Sequence, residues 1–83
     1  MIQQPAPFEV FTLKDEIEEF AADHAETLSF EDYSSLTESA VIMRTLGNLL
    51  VAADPTQYMI DRIAEAREEL AYYQSDRTRH DRS

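Results

Sequence analysis

Residues 36–53, Leu-Thr-Glu-Ser-Ala-Val-Ile-Met-Arg-Thr-Leu-Gly-Asn-Leu-Leu-Val-Ala-Ala, decide the fold. Leu36, Ala40, Met43, Leu46, Gly47 and Leu50 recur at steps of three and four, which places them on one face of an α-helix. Ile42, Leu49 and Ala53 widen that stripe to half the circumference or more, too broad for a single neighbouring helix to cover. A helix of this kind belongs in the middle of its domain. Gly47 adds a second signal. Glycine inside a helix costs about 1 kcal/mol relative to alanine, so its place on the apolar side predicts close approach by another helix.

Downstream, Asp54-Pro55-Thr56-Gln57 reads as a helix start, with an acid at the N-cap, proline at the first helical position and Gln57 able to reach back. In the helix that follows, Met59, Ile63, Ala66, Leu70 and Tyr73 form an inner face, with Ile60 and Arg67 along one edge. Asp61, Glu65, Glu68 and Glu69 face outward together with Tyr58 and Tyr72. Upstream, Ser29 followed by Asp32 is another N-cap signature. It opens a segment that runs to Ala53 or breaks near Ser34-Ser35 and restarts after Thr37.

A first helix is expected from Leu13 to Ala25, with Thr12 as its cap and Asp15 near its positive end. Leu13, Ile17, Phe20, Ala21 and His24 share its apolar face. Gln3-Gln4-Pro5-Ala6-Pro7 reads as extended, because proline fixes its own φ and biases its predecessor away from helix. Phe8, Val10 and Phe11 continue that segment across the core. The C-terminal run from Ser75 is wholly polar and is expected to fray. The expected architecture is all-α: a small three- or four-helix bundle, with residues 1–11 an extended N-terminal segment, 12–74 the helical domain and 75–83 a disordered polar tail.

The 83 residues allow one domain with a small core, unsupported by disulfides because there is no cysteine. Met1–Phe11 has neither the basic start nor the apolar run of a secretory signal. The longest uncharged run, Thr45 to Ala53, is far shorter than the roughly 20 apolar residues of a membrane span. A cytoplasmic protein is expected. The formal charge of −10 is uneven: residues 1–38 hold ten acids against Lys14 alone, whereas three of the last seven residues are Arg77, Arg79 and Arg82. Such a surface repels nucleic acid and anionic lipid and attracts basic protein surfaces when salt is low. Neither direct nucleic-acid binding nor membrane binding is expected.

Catalytic chemistry finds little support. Ser34, Ser35 and Ser39 lack a nucleophile elbow, and the carboxylates fall on solvated helix faces where nothing raises a pKa. Two histidines, His24 and His80, are too far apart in the chain to share a helix face as metal ligands, and one glycine cannot build a phosphate cradle. The expectation is a protein with no catalytic, cofactor or metal site.

Binding surfaces remain. Glu16, Glu19, Asp23 and Glu26 form a stripe on the outer face of the first helix, without the interleaved lysines that would offset their i,i+4 repulsion. Tyr58, Asp61, Glu65 and Tyr72 form a second candidate surface, since exposed tyrosine is favoured at binding hot spots. The expected partner is another protein with a basic surface, and the wide apolar stripe of the central helix leaves room for a homodimer. The leading expectation is an inhibitor or antiactivator of the size, acidity and motif poverty common among phage- and plasmid-borne anti-defence proteins, including anti-CRISPR proteins. The helix, Asp-Pro turn and helix around Ala53-Asp54-Pro55 resembles the hairpins of small secretion-system chaperones and needle subunits over half the chain. That resemblance implies an adaptor burying an apolar face against a partner helix. A structural oligomer or antitoxin is the third expectation. Because the last residues have nothing apolar to bury, truncation after Gln74 should leave the melting temperature unchanged in a thermal scan; a large drop would show that the tail supports the fold.

Overall fold

Proline stands at or just before two of the three helix starts, and each time it marks a helix boundary. The computed structural model describes residues 5–82, with side chains described for residues 5–75. Its elements are α1 (Pro7–Asp23), α2 (Phe30–Ala52) and α3 (Gln57–Arg82), and there is no strand among the described residues. Short turns make neighbouring helices antiparallel, so the chain runs up, down and up.

α1 starts earlier than the sequence reading expects. Ala6 is extended, with φ −88° and ψ 147°, and Pro7 takes the first turn, where its missing N–H would have no partner anyway. The amides of Glu9 and Val10 donate to the Ala6 carbonyl at 3.0 and 3.3 Å. The extended segment over residues 1–11 is therefore corrected: within the described residues only Pro5 and Ala6 precede the helix, and Thr12 is an exposed mid-helix residue, not a cap. Gln3 and Gln4 lie outside the described residues. The signal was present, because the apolar spacing of Leu13, Ile17 and Phe20 continues back to Val10, which is fully buried.

The start of α2 agrees with expectation: the Ser29 hydroxyl accepts from the Asp32 amide at 3.1 Å. α2 is unbroken over its 23 residues, which settles the choice left open around Ser34-Ser35. At the next turn the expected cap shifts by two residues. Thr56, not Asp54, caps α3, its hydroxyl accepting from the Met59 amide at 3.2 Å. Pro55 lies before the cap, where it disfavours helix at Asp54 and so helps to end α2. α3 then stays helical in backbone to Arg82, beyond the Gln74 at which the helical domain was expected to end. No glycine or proline between Gln57 and Arg82 interrupts its propagation.

Leu36, Met43, Leu46, Leu50, Ile63 and Leu70, the expected core, are all buried, joined by Val10, Leu13, Ile17 and Phe20 of α1 and by Leu28 of the first turn. α1 and α2 make the closest pair. Gly47 explains how: a Cβ there would lie 2.7 Å from Cε1 of Phe11, so the ring rests directly on the glycine backbone. The apolar arc of α2 is narrower than projected, since Leu49 and Ala53 are exposed.

α3 is joined to α2 by a polar seam. Ser39 is only 2% exposed, and its hydroxyl donates to Oε1 of Glu69 at 2.7 Å. Ser35 donates to Oε2 of the same carboxylate at 2.7 Å. Glu69 is thus half-buried and turned inward, which corrects its place on the outward face; one turn on, Tyr73 donates to Oδ1 of Asp32 at 2.8 Å. Arg67, expected along the inner edge, is exposed. Burial, then the hydrogen bond to Asp32, pushes the Tyr73 phenol up to about 12.

Two outcomes are expected. Gly47→Ala gains helix propensity but must displace the Phe11 ring, and overpacking of this kind costs about 1–3 kcal/mol. A urea titration should show net destabilisation, and pairing it with Phe11→Leu should recover most of the loss. Because the folded Tyr73 pKa lies above the ordinary value of 10.0, its stabilisation is complete below that pH and disappears as pH rises through about 12. The urea midpoint of the native chain should fall more steeply between those two pH values than that of Tyr73→Phe. At neutral pH the variant should be less stable by about 1.5–3 kcal/mol for the lost hydrogen bond to a carboxylate.

Candidate protein-binding surfaces

The acids of α1 divide into two sets according to where the single lysine reaches. Lys14 bonds Glu18 at 2.8 Å and Asp15 at 3.1 Å, and its pKa is raised, mainly by the hydrogen bond to Glu18 and then by that to Asp15. Both partners lie on one flank. Glu16, Glu19 and Asp23 lie on the other, at steps of three and four along the helix, and line an open groove of about 210 Å³ with Phe20 beneath them and Gln74 of α3 opposite. Among the described residues no basic side chain forms an ion pair with any of these three acids. The geometry therefore gathers three carboxylates at the edge of an apolar floor, between two helices. Glu26, the fourth expected member, stands apart, exposed in the turn after α1.

The second expected surface is also assembled by helix periodicity. Tyr58, Asp61, Glu65 and Tyr72 share the outward side of α3 and are all exposed. With 68% and 67% exposure, Tyr58 and Tyr72 are not packed beneath the N-terminal segment; Tyr72 meets Tyr73 edge to face at 5.3 Å. Two of the acids here already have partners, however. Asp61 accepts from Gln57 at 2.8 Å, and Glu65 pairs with Arg62 at 3.7 Å. Among the described residues the α1 groove thus holds three carboxylates outside any ion pair, against Asp61 alone on this second surface.

The serines and His24 have structural tasks. Ser35 and Ser39 direct their hydroxyls to Glu69, across the helix seam. His24 caps the end of α1, its amide donating to the Phe20 carbonyl at 3.1 Å and its ring tilted against Phe20 with centroids 4.4 Å apart. Among the described residues no group of three or more His, Asp or Glu side chains is placed to hold a metal ion, and no helix is long and apolar enough to cross a membrane.

Sequence reasoning missed a third surface. The outward face of α2 exposes Phe30 by 85%, Val41 by 56% and Val51 by 70%. Its signal is scarcity of charge: from Ser39 to Ala53, Arg44 is the sole charged residue. Phe30, Val41 and Val51 fall outside the apolar stripe projected for this helix, so an apolar face turned to solvent went unread. Against protein families, curated proteins and solved structures alike, the chain has no significant match.

Proposed function

We propose that this chain is a small non-enzymatic inhibitor or antiactivator that acts in the cytoplasm by occupying a basic, nucleic-acid-binding or regulatory surface of a larger protein, in the manner of anti-CRISPR and other anti-defence proteins. The observation that carries the reading is the α1–α3 groove, where Glu16, Glu19 and Asp23 face solvent without a described basic partner. Like charges at i,i+3 and i,i+4 cost a helix a few tenths of a kcal/mol per pair, and only acids in the first turn recover this from the helix dipole. The groove acids lie beyond that turn. A basic partner converts the repulsion into steering and charge-assisted hydrogen bonds. Arginine suits the site, since its planar head can pair with a carboxylate while its stem lies on Phe20.

The test is capture from host extract on immobilised native chain and on the Glu19→Lys, Asp23→Lys double variant, with captured proteins identified by mass spectrometry and their nucleic-acid binding then assayed. The native chain should retain a basic protein that elutes steeply as salt rises from about 0.1 M, and should block its nucleic-acid binding. The double variant should keep its helical circular dichroism and lose at least about tenfold in affinity. A folded double variant that binds equally well would refute the acidic docking surface. Capture insensitive to salt would instead favour the adaptor that buries an apolar face.

A further inference from the structure

We propose that the hydrogen bond from Tyr73 to Asp32 is a latch on the α3 wall of the acidic groove: closed, it holds Gln74 opposite Glu16, Glu19 and Asp23, and opened, it lets the turn of α3 that carries Gln74 swing out and widen the groove. The latch deepens the acidic-groove reading, on which its importance for binding rests.

What holds α3 changes along its length. Met59, Ile63, Ala66 and Leu70 are buried at steps of four, three and four, and Leu70 is the last buried residue of α3 among those described. Gln74 lies one turn beyond Leu70 on the same face, where the apolar stripe gives way to an exposed polar residue. Burial along that face therefore ends just short of the groove. The adjoining face carries the hold further. Glu69 accepts from Ser35 and Ser39 at 2.7 Å each, and one turn on Tyr73 donates to Asp32 at 2.8 Å. Because Tyr73 is the immediate neighbour of Gln74, a bond that fixes the first also sets the height and direction of the second. Asp32 is itself a fixed post, since its amide is bound by the Ser29 hydroxyl at the start of α2. α2 thus shapes a groove that only α1 and α3 line.

Such a hold is made to open locally. Past Leu70 the Tyr73 ring, half-buried against the core, is the remaining apolar contact of α3 with the core among the described residues. Opening one helix end exposes little buried surface and costs far less than unfolding the bundle. The closed groove, at about 210 Å³, falls below the roughly 300–1,000 Å³ of sites that enclose a small-molecule ligand, so it admits a single basic side chain. The opened groove admits the backbone beside that side chain as well. The latch therefore sets the size of basic segment that can enter.

The absence of cysteine from the chain lets two nitroxide labels be attached at introduced cysteines and their separation read by pulsed electron spin resonance. Ala22→Cys with Ser75→Cys spans the groove end of α1 and α3, and Thr12→Cys with Ala64→Cys spans the other half of the bundle; all four positions are exposed. Tyr73→Phe and Asp32→Ala should each broaden the first distance distribution at least about twofold and leave the second unchanged. Asp32→Asn, which keeps an acceptor oxygen, should restore the narrow distribution, and Tyr72→Phe should match the native chain. A first distribution as narrow in Tyr73→Phe as in the native chain overturns the proposal. So does equal broadening of both distances, because the hydroxyl then supports the whole bundle and not the groove wall. Should Asp32→Ala fail to fold, Tyr73→Phe decides alone. These distances are read without a partner, so they judge the latch, whereas salt-dependent capture judges the groove.

Discussion

The contact between the Phe11 ring and the backbone of Gly47 sets the spacing of the bundle. A Cβ at position 47 would meet the Phe11 ring and force it to shift, loosening the packing of α1 on α2 beside the layer of Val10, Leu13, Ile17, Leu36, Ala40 and Met43. With α1 seated this closely, α2 turns its remaining inner arc to α3. There the joint changes character: Leu46, Ile63 and Leu70 supply apolar contact, while Glu69 and Asp32 accept hydrogen bonds from Ser35, Ser39 and Tyr73. Hydrogen bonds to charged acceptors contribute roughly 1.5–3 kcal/mol each and fix direction as well as distance. The polar seam therefore specifies the register of α3 on α2, which an apolar surface alone would leave loosely defined.

That division explains which parts of the fold were legible in the sequence. The core positions of α2 and α3 were, because Leu36, Met43, Leu46, Leu50, Ile63 and Leu70 repeat at helical spacing and nothing competes with that signal. Gly47 could be read as a close approach because helix propensity gives no other reason for it. The N-terminus could not, because proline has two opposite meanings. It disfavours helix in the residue before it and favours the first helical position itself, and only the burial of Val10 shows that Pro7 acts in the second way. Thr56 was overlooked as a cap for a related reason: Asp54-Pro55 offers a stronger local pattern, but the Met59 amide is reached by the later hydroxyl.

The candidate site was legible to the extent that a helix face can be read from spacing. Glu16, Glu19 and Asp23 are consecutive members of one stripe, and the structure keeps them together. What spacing could not show is the third dimension. Gln74 completes the groove from a helix fifty residues later, Glu26 leaves it because α1 ends at Asp23, and Glu69 turns inward to meet two serines that a one-dimensional reading treats as ordinary helix residues. Burial of Ser39 is the cause of the last: a hydroxyl without water needs an acceptor, and Glu69 is the side chain placed to provide it.

The charged groove and the exposed apolar face of α2 differ in physical kind, and this determines what each could bind. The α1–α3 groove would act by charge, so its attraction extends over a Debye length of about 8 Å at physiological salt and weakens as salt rises. The α2 face would act by burial of Phe30, Val41 and Val51, which has no comparable reach and little dependence on salt. They also point in different directions, since α2 turns its inner arc to α1 and α3 and its outer face away from both. The groove sets three carboxylates along an apolar floor formed by Phe20, so a basic side chain entering it would meet charge and apolar contact together, and the salt dependence of capture separates the two contributions.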